Sequence, residues 1–298
     1  MKYKFYLFFL LFLTTFYDAQ SALIPIPGTK FSMVPPNDFE LSSDFTGFQS
    51  EKTKSSIIIV DFPAAYSLLK ESFTKEALLT KGMELISKEN VKYNNVKAQL
   101  YKVRQKAFGK TYLKQILIFG DETKTVIVNG IYPEEFLEME NDIKTALFTL
   151  TFDENQNPNS QEAAQFSINT AGTTYQFVKN LAGALMYSED GLLPTQKGRL
   201  LVSGSLGEFS TLDPKKFTLE RLKALPDADQ AEIKSVEKIT IDHRSGYEII
   251  AADHKKDLLY FVAIFSENRY YLIVGGAKEE QEKNLEIFKK IARTFKVK

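Results

Sequence analysis

The chain has no cysteine and no tryptophan, and only two histidines among its 298 residues. Without cysteine it forms no disulfide and cannot carry a lipid on a cysteine at its amino end. The Cys/His spacings of structural zinc are absent, and so are His-Glu-x-x-His and the phosphate-cradling Gly-x-x-x-x-Gly-Lys. The missing tryptophan argues against a sugar-stacking lectin. An excess of one charge is lacking too: Lys plus Arg number 38, and so do Asp plus Glu. Such a balance gives no long-range field to draw in nucleic acid or anionic membrane. After the first 20 residues no run of 18 apolar residues occurs, so no transmembrane span is expected. No motif implies a cofactor.

What is present begins with an export signal. Met1-Lys2-Tyr3-Lys4 is followed by Phe5 to Phe16, apolar apart from Thr14 and Thr15. A basic start and an apolar stretch of about 12 residues match a cleavable signal peptide and fall short of a membrane-spanning helix. Small residues at Ala19, Ser21 and Ala22 place cleavage there. The expected product is exported, periplasmic or secreted, soluble, and not a lipoprotein.

The rest of the chain reads as one pattern written twice. Phe119–Glu134 (FGDETKTVIVNGIYPE) aligns without a gap on Phe265–Glu280 (FSENRYYLIVGGAKEE), at an offset of 146 that sets Gly130 on Gly276. Tyr101 then falls on Tyr247, Phe73–Leu78 on Phe217–Leu222, and Phe39 on Tyr175. A repeat this long makes each copy a domain with a core of its own rather than a solenoid turn. Polar Asp153 to Glu162, with a proline inside it, reads as the linker. The expected organisation is a signal peptide at 1–20, domains at 21–152 and 163–298, and a linker at 153–162.

Each copy has the same coarse plan. Strands are expected at Lys30–Val34 and Ser56–Asp61, and at Gln165–Asn169 and Arg199–Ser203. A helix follows near Phe73 or Phe217, and then a three-stranded meander, clearest at Tyr247–Ala252, Leu258–Phe265 and Tyr270–Val274. A last amphipathic helix carries Leu285, Phe288, Ile291, Ala292 and Phe295, or Phe136, Met139, Ile143, Leu147 and Leu150, at helical spacing. Helices laid on a mostly antiparallel sheet make this an α+β protein.

Ser245-Gly246-Tyr247-Glu248-Ile249-Ile250, Tyr260–Ile264, Tyr270–Gly276 and the ending Ile291–Val297 carry a resemblance to the PsbP family. That family comprises lumenal extrinsic subunits of the oxygen-evolving photosystem and bacterial exported relatives, and a Ran-binding nuclear import factor shares its fold. The likeness covers the last 60 or so residues of each copy best, and the first copy departs from it with Gln99-Leu100 in place of Ser245-Gly246. The resemblance implies two tandem αβα sandwiches and a non-enzymatic binding or assembly role. It carries over no site residue.

Local motifs give little chemistry. Asp242-His243 and Asp253-His254 should lie at opposite ends of one strand, about 25 Å apart at about 3.3 Å per residue, so they share no site. Ser203-Gly204-Ser205-Leu206-Gly207 lacks the first glycine of a nucleophile elbow. Asp153, Asn155 and Asn157 begin like a calcium loop, but Pro158 and Ala164 stand where glycine and glutamate are needed. Lys102, Arg104 and Lys106 alternate along a strand and share one face, an expected surface for an anion or partner. At the repeat offset Glu248, Ile250 and Ala252 take their places.

The reading that follows is an exported, non-catalytic binding or assembly protein acting on a protein or small ligand of the envelope. One alternative is a small-molecule carrier with a cavity between sheet and helix. Another is a hydrolase built around Asp253, His254 or Ser205.

Overall fold

The computed structural model describes residues 22–298 apart from 108 and 157. The expected signal peptide therefore lies outside the described residues. The first half runs β1 (Ile24–Pro25), β2 (Phe31–Met33), β3 (Glu40–Leu41), β4 (Gly47–Ser50), β5 (Ser55–Phe62), α1 (Tyr66–Glu71), α2 (Lys75–Leu79), β6 (Met83–Tyr93), β7 (Val96–Ala107), β8 (Lys110–Gly120), β9 (Thr125–Pro133), α3 (Met139–Leu147) and β10 (Thr151–Phe152). The second half runs β11 (Phe166–Ser167), β12 (Gln176–Leu181), β13 (Ala184–Ser188), β14 (Arg199–Gly204), α4 (Pro214–Lys223), β15 (Glu232–Ile241), β16 (Arg244–Ala252), β17 (Leu258–Phe265), β18 (Tyr270–Ala277), α5 (Gln281–Ala292) and β19 (Lys296–Val297).

Both main sheets have seven strands, in the order β3-β4-β5-β9-β8-β7-β6 and β12-β13-β14-β18-β17-β16-β15. Adding nine to each label of the first gives the second. The same shift carries the small pairing of β2 with β10 onto that of β11 with β19. Neighbouring strands are antiparallel throughout. Even the bulge on the outermost long strand recurs, between Leu85 and Ser87 and between Ile233 and Ser235. A bulge and alternating charges on an edge strand keep it from pairing with other chains.

Helices cover both faces of each sheet. In the second half Phe288, Ile291 and Ala292 of α5 pack with Leu200, Tyr260, Val262 and Ile273. On the opposite face Leu222 of α4 meets Ile249, Ala251, Phe261 and Ala263. The first half repeats this with α3 over Ile57, Leu117 and Val128, and Leu78 of α2 over Tyr101, Val103, Ile116 and Ile118. The strands between these layers are apolar on both faces, as Leu258–Phe265 shows, and each fully buried large side chain contributes about 1.5–3 kcal/mol. The expected α+β class and sandwich layering match this arrangement.

Two expectations change. The meander has four strands, because Met83–Tyr93 and Glu232–Ile241 precede the three that were expected. Both are solvent-exposed edges, and the bulge in each interrupts the alternation of their apolar residues. The repeat frame also slips by one residue. Ile143 sits over Gly130 and Phe288 over Gly275, so close that a Cβ on either glycine would collide with the helix. Gly130 therefore corresponds to Gly275, at an offset of 145. A one-residue slip in a strand exchanges its two faces, and the ungapped match that put Val128 on Val274 had paired a side chain on the α3 face with one on the face that α4 covers. The counterpart of buried Val128 is buried Ile273.

Candidate functional site

The two halves meet through hairpin tips. From the first half comes the loop Ser42–Thr46, where the Ser42 hydroxyl accepts from the N–H groups of Asp44 (3.1 Å) and Phe45 (3.4 Å). From the second comes the two-residue turn Ala182-Gly183, both at positive φ (53° and 95°). They touch at Gly183, where an added Cβ would stand 2.9 Å from the Asp44 carbonyl oxygen, so only glycine fits. The Asp44 carboxylate, 3% exposed, accepts from Arg269 Nη1. A second ion pair crosses between the halves: Lys179 Nζ lies 2.9 Å from Asp61 Oδ2.

The connecting residues are tied down as well. Lys30 Nζ donates to the Glu154 carbonyl at 2.8 Å, Asn180 Nδ2 to the Ser160 carbonyl at 2.8 Å, and Gln161 Nε2 to the Tyr187 hydroxyl at 3.0 Å. Burial pushes the Tyr187 hydroxyl up to about 12, against the opposite pull of Gln161.

The junction is quasi-symmetric. In the corrected frame Lys124 is the counterpart of Arg269, since Thr125 pairs with Gly120 as Tyr270 pairs with Phe265. Asp61, opposite Val126, is likewise the counterpart of Gly204, opposite Tyr271. Gly28–Phe31 matches Ala163–Phe166 through the small pairings of Phe31 with Phe152 and Phe166 with Val297. A cleft flanks the hairpin contact on each side. The first is walled by Ala163–Phe166, Gly204, Arg269 and Tyr271 facing Asp44–Gly47, and encloses about 40 Å³. That is room for about one water. The second is walled by Gly28–Phe31, Asp61, Lys124 and Phe152 facing Lys179, Asn180 and Ala182, and encloses about 420 Å³. That volume lies in the range of small-molecule sites, which favour junctions of this kind.

The open cleft carries Lys30, Lys124 and Lys179 against one acid, Asp61. Asp61 Oδ1 is buried with no hydrogen-bond partner, and Lys124 Nζ stands 4.3 Å from the centre of the Phe152 ring. Sequence reasoning missed all of these residues. The one signal for them was the repeat, and the one-residue slip hid it by placing Lys124 on Tyr270 instead of Arg269.

The cationic face expected from sequence is turned toward α3. Lys102 Nζ reaches both oxygens of Glu140, at 2.6 and 2.8 Å, and Gln115 joins the same carboxylate at 3.3 Å. Arg104 pairs with Glu134 (3.2 Å) and Glu84 (3.5 Å). Lys106 is exposed and has no ion pair among the described residues. By strand register, Lys102 opposite Gln115 corresponds to Ile250 opposite Tyr260, and Leu100 opposite Leu117 to Glu248 opposite Val262. The two halves thus exchange polar and apolar seams. Where the first has Lys102–Glu140, the second has Ile250 and Leu285 against its core. Where the first has Leu100 and Phe148, the second has Glu248 held by Arg293 (2.9 Å) and the Tyr260 hydroxyl (2.8 Å).

The groups of the hydrolase alternative stay apart. Ser205 follows β14 beside Tyr270, and its hydroxyl donates to the Gly207 carbonyl at 2.9 Å. Asp253 and His254 lie at the other end of β17, about 23 Å away at about 3.3 Å per residue. Asp253 Oδ1 accepts from the N–H groups of Lys255 and Asp257 and so shapes the turn. The two histidines sit at opposite ends of β16, as expected. Among the described residues no three His, Cys, Asp or Glu side chains gather as metal ligands, and no helix is long and apolar enough to cross a membrane.

No protein-family model and no curated protein matches the chain. Solved structures do. PA94 from Pseudomonas aeruginosa is 14% identical over 39% of this chain and 88% of its own, with a TM-score of 0.32. The solution structure of cyanobacterial PsbP (CyanoP) from Synechocystis sp. PCC 6803 is 15% identical over 48% of this chain and 84% of its own, with a TM-score of 0.31. The immunity protein TplEi of the T6SS from Pseudomonas aeruginosa, solved with an "L" peptide, is 11% identical over 94% of this chain and 99% of its own, with a TM-score of 0.32. These values describe a loose fold relationship.

Proposed function

We propose that this is an exported binding or assembly protein with no chemical step of its own, and that the open cleft between its halves is the binding surface. The reading takes residues 21–152 and 163–298 as two PsbP-like domains, joined by 153–162 and delivered by residues 1–20 to the periplasm or medium as a soluble protein. One observation carries it. A junction that repeats itself closes one cleft with its own side chains and leaves the related cleft open, with three lysines against the single acid Asp61 on its walls. The side chains there bind and orient, and none is a poised nucleophile with a base beside it.

The test is hydrogen exchange on the mature protein in the presence of envelope extract, with native mass spectrometry of the recovered species. Expected is a retained ligand or partner and slowed exchange confined to residues 28–31, 124–126 and 179–182. A bare chain mass together with unchanged exchange at these segments sinks the proposal.

A further inference from the structure

The two clefts differ most at the tip that faces each of them. In the closed cleft the loop of the first half brings its own carboxylate, Asp44, to Arg269, and Phe45 follows into the junction as a buried side chain. In the open cleft the facing tip is Ala182-Gly183, which is shorter and has no acid. The facing tip brings no carboxylate to Lys124, the counterpart of Arg269, and among the described residues neither Lys124 nor Lys30 belongs to an ion pair, Lys30 donating instead to the Glu154 carbonyl.

We infer that the open cleft takes an acidic peptide segment, one that presents a carboxylate beside an apolar side chain as Asp44-Phe45 does in the related cleft. The inference rests on the cleft being the binding surface proposed above. Lys124 and Lys30 meet the carboxylate, and the exposed Phe152 ring, backed by buried Phe31, offers the apolar wall. Asp61 uses one oxygen for Lys179 and has the other buried without a partner. A peptide sets an apolar side chain beside its carboxylate, as Phe45 follows Asp44 in the related cleft, which a simple dicarboxylate lacks.

The probe is the capped tetrapeptide acetyl-Ser-Asp-Phe-Thr-amide, the sequence of residues 43–46, titrated into the 22–298 chain and followed by amide shifts in NMR. Its Asn analogue and succinate serve as comparison arms. Expected are saturable shifts at Thr29, Lys124, Asn180 and Ala182, about tenfold weaker binding for the Asn peptide, and a similar loss in Lys124→Gln. Ala182→Asp, at a φ that Asp tolerates, places a carboxylate on the tip as Asp44 does; it should abolish peptide binding and raise the Tm. Succinate shifting the same amides while the peptide does not overturns the peptide and leaves the carboxylate. Equal binding of the Asp and Asn peptides overturns the carboxylate, although the cleft remains a binding surface. No cleft shift with any probe overturns the inference; if the exchange footprint in envelope extract is also absent, the functional reading falls with it.

Discussion

Asp44 and Arg269, 225 positions apart in the chain, face each other across the junction, the carboxylate only 3% exposed and the guanidinium 38%. The asymmetry decides which partner matters more. Arg269→Ala strands a carboxylate away from water and is expected to cost about 3 kcal/mol, whereas Asp44→Asn releases an arginine that already reaches solvent and should cost less. Urea unfolding of the two variants should rank them in that order, and equal costs would argue against the junction being sealed.

The exchanged seams make a sharper experiment. Glu140→Leu alone leaves the Lys102 ammonium, 25% exposed, against an apolar neighbour and should destabilise by about 1–3 kcal/mol. Adding Lys102→Ile, which copies the Ile250 and Leu285 arrangement of the other half, should restore most of the loss. A double variant no more stable than the single one would show that the two seams are not equivalent. In the second half, Arg293→Ala strands Glu248, 4% exposed, and should cost more than the paired change Glu248→Leu with Arg293→Phe.

Gly130 and Gly275 mark where each C-terminal helix presses on its sheet. Gly130→Ala drives a methyl into Ile143 Cγ2 and is expected to lose about 1–3 kcal/mol. Ile143→Ala in the same chain should recover part of that loss, measured as a shift in denaturant midpoint. Gly276→Ala, one residue away, meets only Arg199 and Leu258 at 3.6 Å or more and should be mild. This pair of glycine changes tests the 145 frame directly.

Alkaline stability should follow the buried phenols. Burial pushes Tyr93, Tyr101 and Tyr187 up from 10 to about 12 in the folded chain. Between pH 10 and 12 the unfolded chain therefore binds fewer protons than the folded one, and stability falls as pH rises. It is present below pH 10 and is lost across that window, at no more than about 1.4 kcal/mol per pH unit for each tyrosine. Absorbance titration at constant ellipticity should show these phenols lagging the exposed tyrosines. A single titration near pH 10 in the folded protein would contradict their burial.

The fold was legible where residues repeat a physical requirement. The apolar run Leu258–Phe265 had to be an interior strand, and Phe288, Ile291 and Ala292 had to face a core. What escaped were the edge strands β6 and β15, whose alternating charges resemble a loop, and the hairpins β3-β4 and β12-β13, which are short. The candidate site was not legible at all. Lys124, Asp61, Asp44 and Lys179 are ordinary turn and strand residues until two hairpins bring them together, and identical letters led the alignment one residue off the frame that faces define. On the Lys102 face the alternation was read correctly; the acids that meet it come from α3, the turn before it and a neighbouring strand, which local patterning does not connect.

The small pairings of β2 with β10 and β11 with β19 give each half a clasp between its first and last strands. A clasp of this kind sets an order of assembly. As the chain emerges from a ribosome, Thr151 and Phe152 are free to close the first half while the second is still being made. The second half has to wait for Lys296 and Val297. The junction through Asp44 and Arg269 waits for residue 269, long after 151 and 152, so a first half already shut is available as the template onto which the later one docks.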